Sequence, residues 1–236
     1  MLHERLLESH RKRGAQPTPE ILAYARAVDL FAAGCSDADS VQHSLCEYLD
    51  AVALRGRAVS DAVGRTREPP LADVFTEGVA LMMDGIVRAP EFAHHRLKVA
   101  SEKGVSIPGY KTLKPDVSVW SGAKLLSVVE CKTNLGYARN GWQGPFEERA
   151  SAFTRVGVPA DAVLMVVATE TNWEGFPSPS SDPRTGRQWI TLAKRGTWFG
   201  GGKSKGSQHP LARMQSPGAV KAIVDSLRRT ILRPEV

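Results

Sequence analysis

The chain has only three cysteines, Cys35, Cys46 and Cys131, among its 236 residues. Their spacing shows no pairs of the kind that bind zinc or that cross-link a small secreted domain. This scarcity argues against a zinc ribbon and against a disulfide scaffold. It suits a protein of the reducing cytoplasm, which is the localisation that we expect.

Long apolar runs and targeting signals are also missing from the sequence. No stretch is apolar over the length that is needed to cross a bilayer. The first residues, Met1 to Arg5, lack the apolar core of a secretory signal. We therefore expect no membrane partner. A chain of this length forms one large domain, or one core with a small appendage.

The sequence also has no excess of acidic residues, and its basic residues are unevenly distributed along the chain. The formal net charge is +6 at pH 7. From Arg187 onward there are ten Lys or Arg and two Asp or Glu, a net of +8, so residues 1–186 carry a net of −2. Such a basic region predicts a polyanion partner, because Lys and Arg gain affinity by displacing counterions condensed on nucleic acid. The alternative is a solvated basic surface.

The middle of the chain has the pattern of a β-hairpin. Within residues 114–120, Val117 and Val119 alternate with the polar Asp116 and Ser118, and residues 125–129 form a short apolar run. The residues between them, 121–124, supply turn chemistry. A hairpin centred on that turn pairs residues whose numbers sum to 246, and in this register Asp116 faces Glu130.

The predicted hairpin brings two carboxylates and one amine together. Directly opposed residues have Cβ atoms roughly 4.5–5.5 Å apart, so Asp116 and Glu130 are placed to hold one cation. Glu130 and Lys132 are two positions apart on one strand, so their side chains leave the same face. Opposed like charges destabilise a sheet, and a metal ion between the carboxylates would remove that cost.

This arrangement resembles the PD-(D/E)XK nuclease superfamily, best known from type II restriction endonucleases. Pro115-Asp116 matches the first half of its motif, and Glu130-Cys131-Lys132 matches the second half. The resemblance implies a Mg²⁺-dependent phosphodiesterase in which Asp116, Glu130 and the backbone carbonyl of Cys131 bind the metal. It also implies that Lys132 orients or activates the attacking water and stabilises charge on the phosphate.

The same resemblance implies a fold and partners. We expect an α/β (α+β), restriction-endonuclease-like αβββαβ core, in which helices flank a mixed central β-sheet. The expected substrate is double-stranded DNA. An enzyme that cuts both strands of a palindrome is expected to be a homodimer or a higher homo-oligomer. A type II restriction enzyme further implies a cognate DNA methyltransferase in the same restriction-modification system.

Periodicity along the chain predicts the other elements. Helices are expected at residues 20–31, 37–54, 71–87 and 217–232 and inside 141–156, strands at 162–168 and 188–192, and a loop at 56–70. We assign residues 1–70 to a helical accessory region, which is the N-terminal helical subdomain of the expected fold. Residues 71–236 form the nuclease core, with a basic C-terminal region that contacts DNA.

Further candidate residues lie outside the motif. Asn134 follows it closely and is a candidate DNA contact, although a turn role is an equal alternative. A Gly-rich segment carries four candidate DNA-binding side chains, Lys194, Arg195, Lys203 and Lys205. That segment is expected to order on DNA, and an inert loop is its alternative. The resemblance also makes Glu77, on the third predicted helix, a candidate ligand of a second metal or a residue that supports the metal ligands, although a solvated helix face is the favoured interpretation.

The sequence thus predicts a Mg²⁺-dependent endonuclease for double-stranded DNA, of the sequence-specific type II restriction kind. A modification-dependent or repair nuclease of the same fold is the first alternative. The second alternative is a non-catalytic DNA-binding module on a nuclease-like fold. The presence of Asp116, Glu130 and Lys132 together argues against that module, since a decayed nuclease commonly loses one of the three.

Overall fold

The structure, a computed structural model, describes residues 8, 18–62, 71–133, 143–169, 188–193, 197–198 and 208–232. Its main helices are α1 (Pro19–Ala32), α2 (Ala38–Ala62), α3 (Ala72–Val87), α4 (Gln143–Thr154) and α5 (Ala219–Ile231). Its strands are β1 (Leu97–Ser101), β2 (Val117–Ser121), β3 (Lys124–Lys132), β4 (Val163–Thr169), β5 (Trp189–Ala193), β6 (Thr197–Trp198) and β7 (Gln208–His209). Within these described ranges, no helix combines the length and the apolarity that crossing a membrane requires.

A five-stranded mixed sheet lies at the centre, in the strand order β1-β2-β3-β4-β5. β1, β2 and β3 pair antiparallel, whereas β3, β4 and β5 pair parallel. β4 is buried along its whole length, as expected for a central strand of a sheet that is covered on both faces. β6 and β7 form a separate parallel pair. The mixed sheet flanked by helices confirms the predicted α/β class.

The central hairpin has the predicted register over the half that is farther from its turn. Val117 pairs with Val129, so these residue numbers sum to 246 as expected. One step outward in the same register, Asp116 lies beside Glu130. The periodicity of the two strands therefore placed both acids on one face of the sheet.

The half of the hairpin next to the turn departs from the prediction. Trp120 pairs with Leu125, and the register shifts by one residue at a β-bulge. The turn is the two-residue loop Gly122-Ala123 between the strands, with Gly122 at φ 57°. A glycine with positive φ at the first loop position suits a type II′ hairpin turn. The bulge lies on the turn side of Val119, so it leaves the register at the motif unchanged.

The two faces of the sheet pack against different partners. On one face, α1, α2, α3 and α5 close the larger core, whose sheet residues are Val117, Val119, Val129, Cys131, Leu164, Val166, Ala168, Ile190, Leu192 and Ala193. On the other face, α4 and the chain between β1 and β2 close a smaller core that includes Val105, Leu113, Val128, Phe146, Phe153, Met165 and Trp189. We call these the larger core and the α4-side core.

Several predicted helices form close to their expected bounds. α1 begins at Pro19, and the chain leaves it through Gly34 at φ 71°, a conformation in which glycine commonly ends a helix. Thr18 stands at the N-cap position but makes no side-chain capping hydrogen bond. α3 and α5 begin and end within two residues of the predicted bounds.

α2 is longer than predicted. We expected a helix to residue 54 and a loop from residue 56, yet α2 continues to Ala62. A glycine such as Gly56 costs only about 1 kcal/mol relative to Ala inside a helix, and its neighbours Arg55 and Ala58 are good helix formers. The loop prediction is therefore wrong for residues 56–62, while residues 63–70 lie outside the described part of the chain.

The N-terminal helices pack into the same core as the C-terminal elements. α1 and α2 share the larger core with α3, the sheet and α5. Gln42 of α2, 1% exposed, donates to the Leu192 carbonyl and accepts a hydrogen bond from the N–H of Val220. Asp50 of α2 accepts two backbone N–H groups of the 3-10 helix that precedes α5. This packing joins residues on both sides of residue 70, and the division into two regions stays a prediction.

Candidate active site

Glu130 is buried near the end of β3, on the sheet face that α4 covers. Its side chain is 8% exposed. Burial raises the pKa of this carboxyl, Asp116 raises it further, and Arg149 and Lys132 lower it, so that the pKa stays above its ordinary value. Because a buried charge is costly unless it is paired, the neighbours of Glu130 determine what it can do.

The direct partner of Glu130 is Arg149 of α4. Nε and Nη2 of Arg149 donate to Oε1 of Glu130 at 3.1 and 2.5 Å. Nη2 also donates to the backbone carbonyl of Lys114 at 2.9 Å. Arg149 thus joins three segments, namely α4, the end of β3 and the chain just before Asp116.

Sequence reasoning missed Arg149, although a signal for it was present. Arg149 follows Phe146 by three residues and precedes Phe153 by four, so all three lie on one face of α4. Both phenylalanines are buried, and the guanidinium carbon of Arg149 lies 5.9 Å from the ring centroid of Phe153. An arginine on the apolar face of a helix indicates a carboxylate partner inside the protein, since charged side chains are rarely buried unpaired.

Asp116 lies half-buried just before β2. Its Oδ2 accepts a hydrogen bond from the backbone N–H of Cys131 at 2.7 Å. Its own carbonyl accepts one from the N–H of Glu102 at 3.2 Å, which continues the pairing with β1. The side-chain bond holds the carboxylate against the residue between Glu130 and Lys132. The structure therefore brings the two halves of the sequence motif together.

Lys132 and Cys131 end β3 on opposite faces of the sheet. Lys132 is exposed and lies on the same face as Glu130. Cys131 is buried in the larger core, where burial raises the pKa of its thiol well above the ordinary value. The thiol therefore packs in the core rather than reacts. Among the atoms of Cys131, the backbone carbonyl is the one that stays a predicted metal ligand, beside the carboxylates of Asp116 and Glu130. Glu77 on α3 is half-buried, and its role as an additional ligand stays a prediction.

The two carboxylates suit a magnesium site with few protein ligands. Mg²⁺ is usually bound through one or two carboxylates and keeps several waters. Asp116 and Glu130 supply two carboxylates on one face, and both offer the oxygen atoms that this ion prefers. Across the ranges that the structure describes, no group of three or more His, Cys, Asp or Glu side chains is arranged around a metal position. A metal here would therefore depend on this pair.

The predicted DNA-binding residues all lie outside the described part of the chain, namely Asn134, Lys194, Arg195, Lys203 and Lys205. The basic residues of α5 do lie within it. Lys221, Arg228 and Arg229 each form an ion pair with an Asp or Glu of the same chain. The positive charge that α5 offers to a polyanion is reduced accordingly.

Comparisons with known proteins gave no match. No protein-family model matches the chain, and neither a curated protein nor a solved structure matches it. What the site does must therefore be inferred from its own residues and their geometry.

Proposed function

We propose that this protein is a Mg²⁺-dependent endonuclease of the PD-(D/E)XK superfamily, acting on double-stranded DNA as a sequence-specific type II restriction enzyme. The observation that carries the proposal is the hydrogen bond from the N–H of Cys131 to the carboxylate of Asp116. It holds the acid of the first half-motif against the strand end that carries Glu130 and Lys132.

The order of elements supports the proposal. From α3 to β4 the chain forms a helix, three antiparallel strands, a helix and a strand parallel to the third one. This is the αβββαβ order expected of a restriction-endonuclease-like core. Asp116 and Glu130 belong to the second and third of those strands or their immediate ends, which is where the resemblance requires them.

In the proposed reaction, Asp116 and Glu130 hold the metal while Lys132 acts on the phosphate. Mg²⁺, when bound, neutralises charge on the phosphate and lowers the pKa of a bound water. Lys132, exposed at its strand end, donates to the water or to a phosphate oxygen and stabilises the negative charge that develops there. Glu130 must be ionised for this role, and Arg149 and Lys132 favour that form by opposing the effect of burial on its pKa.

Partners follow from the proposed reaction. Cleavage of both DNA strands requires two active sites, which a homodimer or higher homo-oligomer supplies. DNA contacts are assigned to Asn134 and to the basic residues of the Gly-rich segment. A cognate DNA methyltransferase and a cytoplasmic location belong to the same proposal.

The Glu130–Arg149 pair favours a second candidate function, a DNA-binding module without catalysis. A guanidinium bound to Glu130 neutralises the buried carboxylate without any metal. In such a module, Asp116 and Glu130 would be structural groups only.

The test is cleavage of unmethylated phage DNA by the purified full chain, with Mg²⁺ or with EDTA, beside the same assay on methylated DNA and a measurement of DNA binding. Wild type is expected to give discrete fragments with Mg²⁺ and none with EDTA. Asp116→Asn is expected to lose cleavage, because one of two metal-binding carboxylates is gone. Asp73→Asn changes an exposed carboxylate in the first turn of α3 and is expected to cut like wild type.

The other outcomes separate the alternatives. A smear of products would indicate a repair or non-specific nuclease of the same fold. Cleavage restricted to methylated DNA would indicate a modification-dependent enzyme. Binding without cleavage of either DNA would overturn the catalytic proposal and leave the binding module.

A further inference from the structure

We propose that Arg149 links metal binding to phosphate binding at this site. Its guanidinium holds Glu130 when no metal is bound, and it moves to a non-bridging oxygen of the DNA phosphate when a metal takes Glu130. This inference deepens the proposed nuclease function and rests on it. Arg149 lies outside both halves of the sequence motif, which end at Lys132.

Arg149 and a metal ion would compete for Glu130. Nε and Nη2 both donate to the same oxygen, Oε1, at 3.1 and 2.5 Å. These two charge-assisted hydrogen bonds take up lone pairs that a metal would use on that oxygen. A guanidinium also keeps its charge at all ordinary pH values, so it repels a divalent cation placed beside it. Binding of a cation to Oε1 therefore requires Arg149 to leave it.

The second contact of Arg149 keeps it close to both acids after it has left Glu130. Nη2 donates to the carbonyl of Lys114 at 2.9 Å, two residues before Asp116. A guanidinium has five N–H donors in a planar fork, and it suits the geometry of phosphate. It can keep the carbonyl with one donor and bind a phosphate oxygen with others.

Burial favours movement of the arginine rather than of the glutamate. The side chain of Arg149 is 29% exposed, whereas that of Glu130 is 8% exposed. The base of Arg149 is fixed, because Phe146 and Phe153 on the same face of α4 are buried. Its tip contacts Glu130, which lies two residues before the exposed Lys132 on the same strand. A DNA phosphate that reaches Lys132 from solvent would thus approach both cations.

The two positions of Arg149, at Glu130 and then at the phosphate, lower the electrostatic free energy of two states, the one without a bound metal and the one with it. Before a metal binds, Arg149 neutralises a buried carboxylate that would otherwise stand beside Asp116. After a metal binds, the same charge offsets the repulsion between the incoming phosphate and the two carboxylates. A single arginine that serves both states makes metal and DNA binding favour one another.

Mn²⁺ binding to the full chain tests the competition without any measurement of activity. Free Mn²⁺ is counted by its EPR signal for wild type, Arg149→Gln and Arg155→Gln. Arg155 is exposed and directly follows α4, so its variant controls for the loss of one positive charge. We expect Arg149→Gln to bind Mn²⁺ roughly tenfold more tightly, as removal of a charge-assisted competitor implies. Arg155→Gln is expected to stay within about twofold of wild type.

Unchanged or weaker Mn²⁺ binding by Arg149→Gln would overturn the competition. The variant leaves Glu130 buried without its partner, so its folding is first checked by thermal unfolding. If it does not fold, Arg149→Lys takes its place, because a lysine keeps an ion pair but not two hydrogen bonds to one oxygen. It is expected to bind Mn²⁺ a few times more tightly than wild type, and equal or weaker binding counts against the inference.

Cleavage at saturating Mg²⁺ tests the contact with phosphate. Arg149→Gln is expected to cut DNA roughly 10²-fold more slowly than Arg155→Gln, although it holds the metal more tightly. Equal rates would overturn the phosphate contact and leave the nuclease proposal intact. If wild type binds Mn²⁺ yet cuts no DNA, the nuclease proposal and the phosphate contact both fail, while the Mn²⁺ titration still decides the competition.

Discussion

The two faces of the central sheet differ in what they bury, although β3 contributes to both. On one face, Val129 and Cys131 enter the larger core with apolar side chains from four helices. On the other face, Glu130 is buried against α4 and needs Arg149 to neutralise it. Alternation along one strand thus sends neighbouring residues into an apolar and a charged environment.

The two faces are therefore expected to govern different properties of the protein, namely stability and activity. Apolar area removed from water gains roughly 25 cal/mol per Å², so the larger core stabilises the fold. A buried carboxylate costs free energy and is retained where it has a partner or a function. Variants of the larger core should therefore change stability first, and variants of the α4 side should change activity first.

The largest expected effect is on stability, from a truncation in the larger core. Phe75 of α3 is fully buried, so Phe75→Ala is expected to lower the free energy of unfolding by roughly 3–5 kcal/mol. Phe146→Ala, in the first turn of α4 where helix ends fray, is expected to cost less but to slow DNA cleavage. Urea unfolding and cleavage rates at a temperature where both variants are folded measure the two effects.

Similar effects of the two variants on unfolding free energy and on cleavage rate would contradict this difference between the faces. A Phe75→Ala protein that is folded yet cuts slowly would mean that the larger core also sets the geometry of the site. A Phe146→Ala protein with wild-type rates would mean that α4 does not hold Arg149 in a position that matters for cleavage.

The next effect is on activity, at the exposed end of β3. In the proposed reaction Lys132 donates to the water or to the phosphate, so Lys132→Ala is expected to slow cleavage by about 10²–10³-fold through the loss of that donor and its positive charge. Its stability should change by less than about 0.5 kcal/mol, since the side chain is exposed. Lys124 is an exposed lysine at the other end of the same strand, and Lys124→Ala is expected to change neither property. Equal rates for the two variants would exclude Lys132 from the reaction.

The smallest effect is the pH dependence that Glu130 gives to stability. Burial raises the pKa of Glu130 above the ordinary value of 4.5, so the folded state holds this proton after the unfolded state has lost it. Wild-type stability should therefore fall as pH rises from about 4.5 through the folded-state pKa. Glu130→Gln lacks this titration, so the difference in unfolding free energy between variant and wild type should rise over that window and then level off. Urea unfolding at a series of pH values measures it, and a flat difference would contradict the raised pKa.

Local patterns predicted much of the fold. The apolar run of β4, the strand at β2 and the helix at α1 all agree with the structure, although both faces of β2 are buried from Val117 to Trp120. The bulge in the hairpin was not predictable, because it changes the pairing of two strands without a marker residue such as glycine. β1 was also missed, and it lies between Arg96 and Glu102 at φ 49° and 50°, a conformation that neither residue type indicates.

The sequence by itself determined that Glu130 and Lys132 share a face and that Asp116 stands beside them, because side-chain alternation and hairpin register are local properties. Only the tertiary structure decided that Arg149 neutralises Glu130 and that Asp116 is bonded to the N–H of Cys131. The first contact depends on how α4 packs against the sheet, and the second depends on the side-chain conformation of Asp116 at the mouth of the hairpin, which the register of the strands does not fix. The candidate motif was therefore readable in the sequence, whereas the pairing of Arg149 with Glu130 depends on how α4 packs against β3.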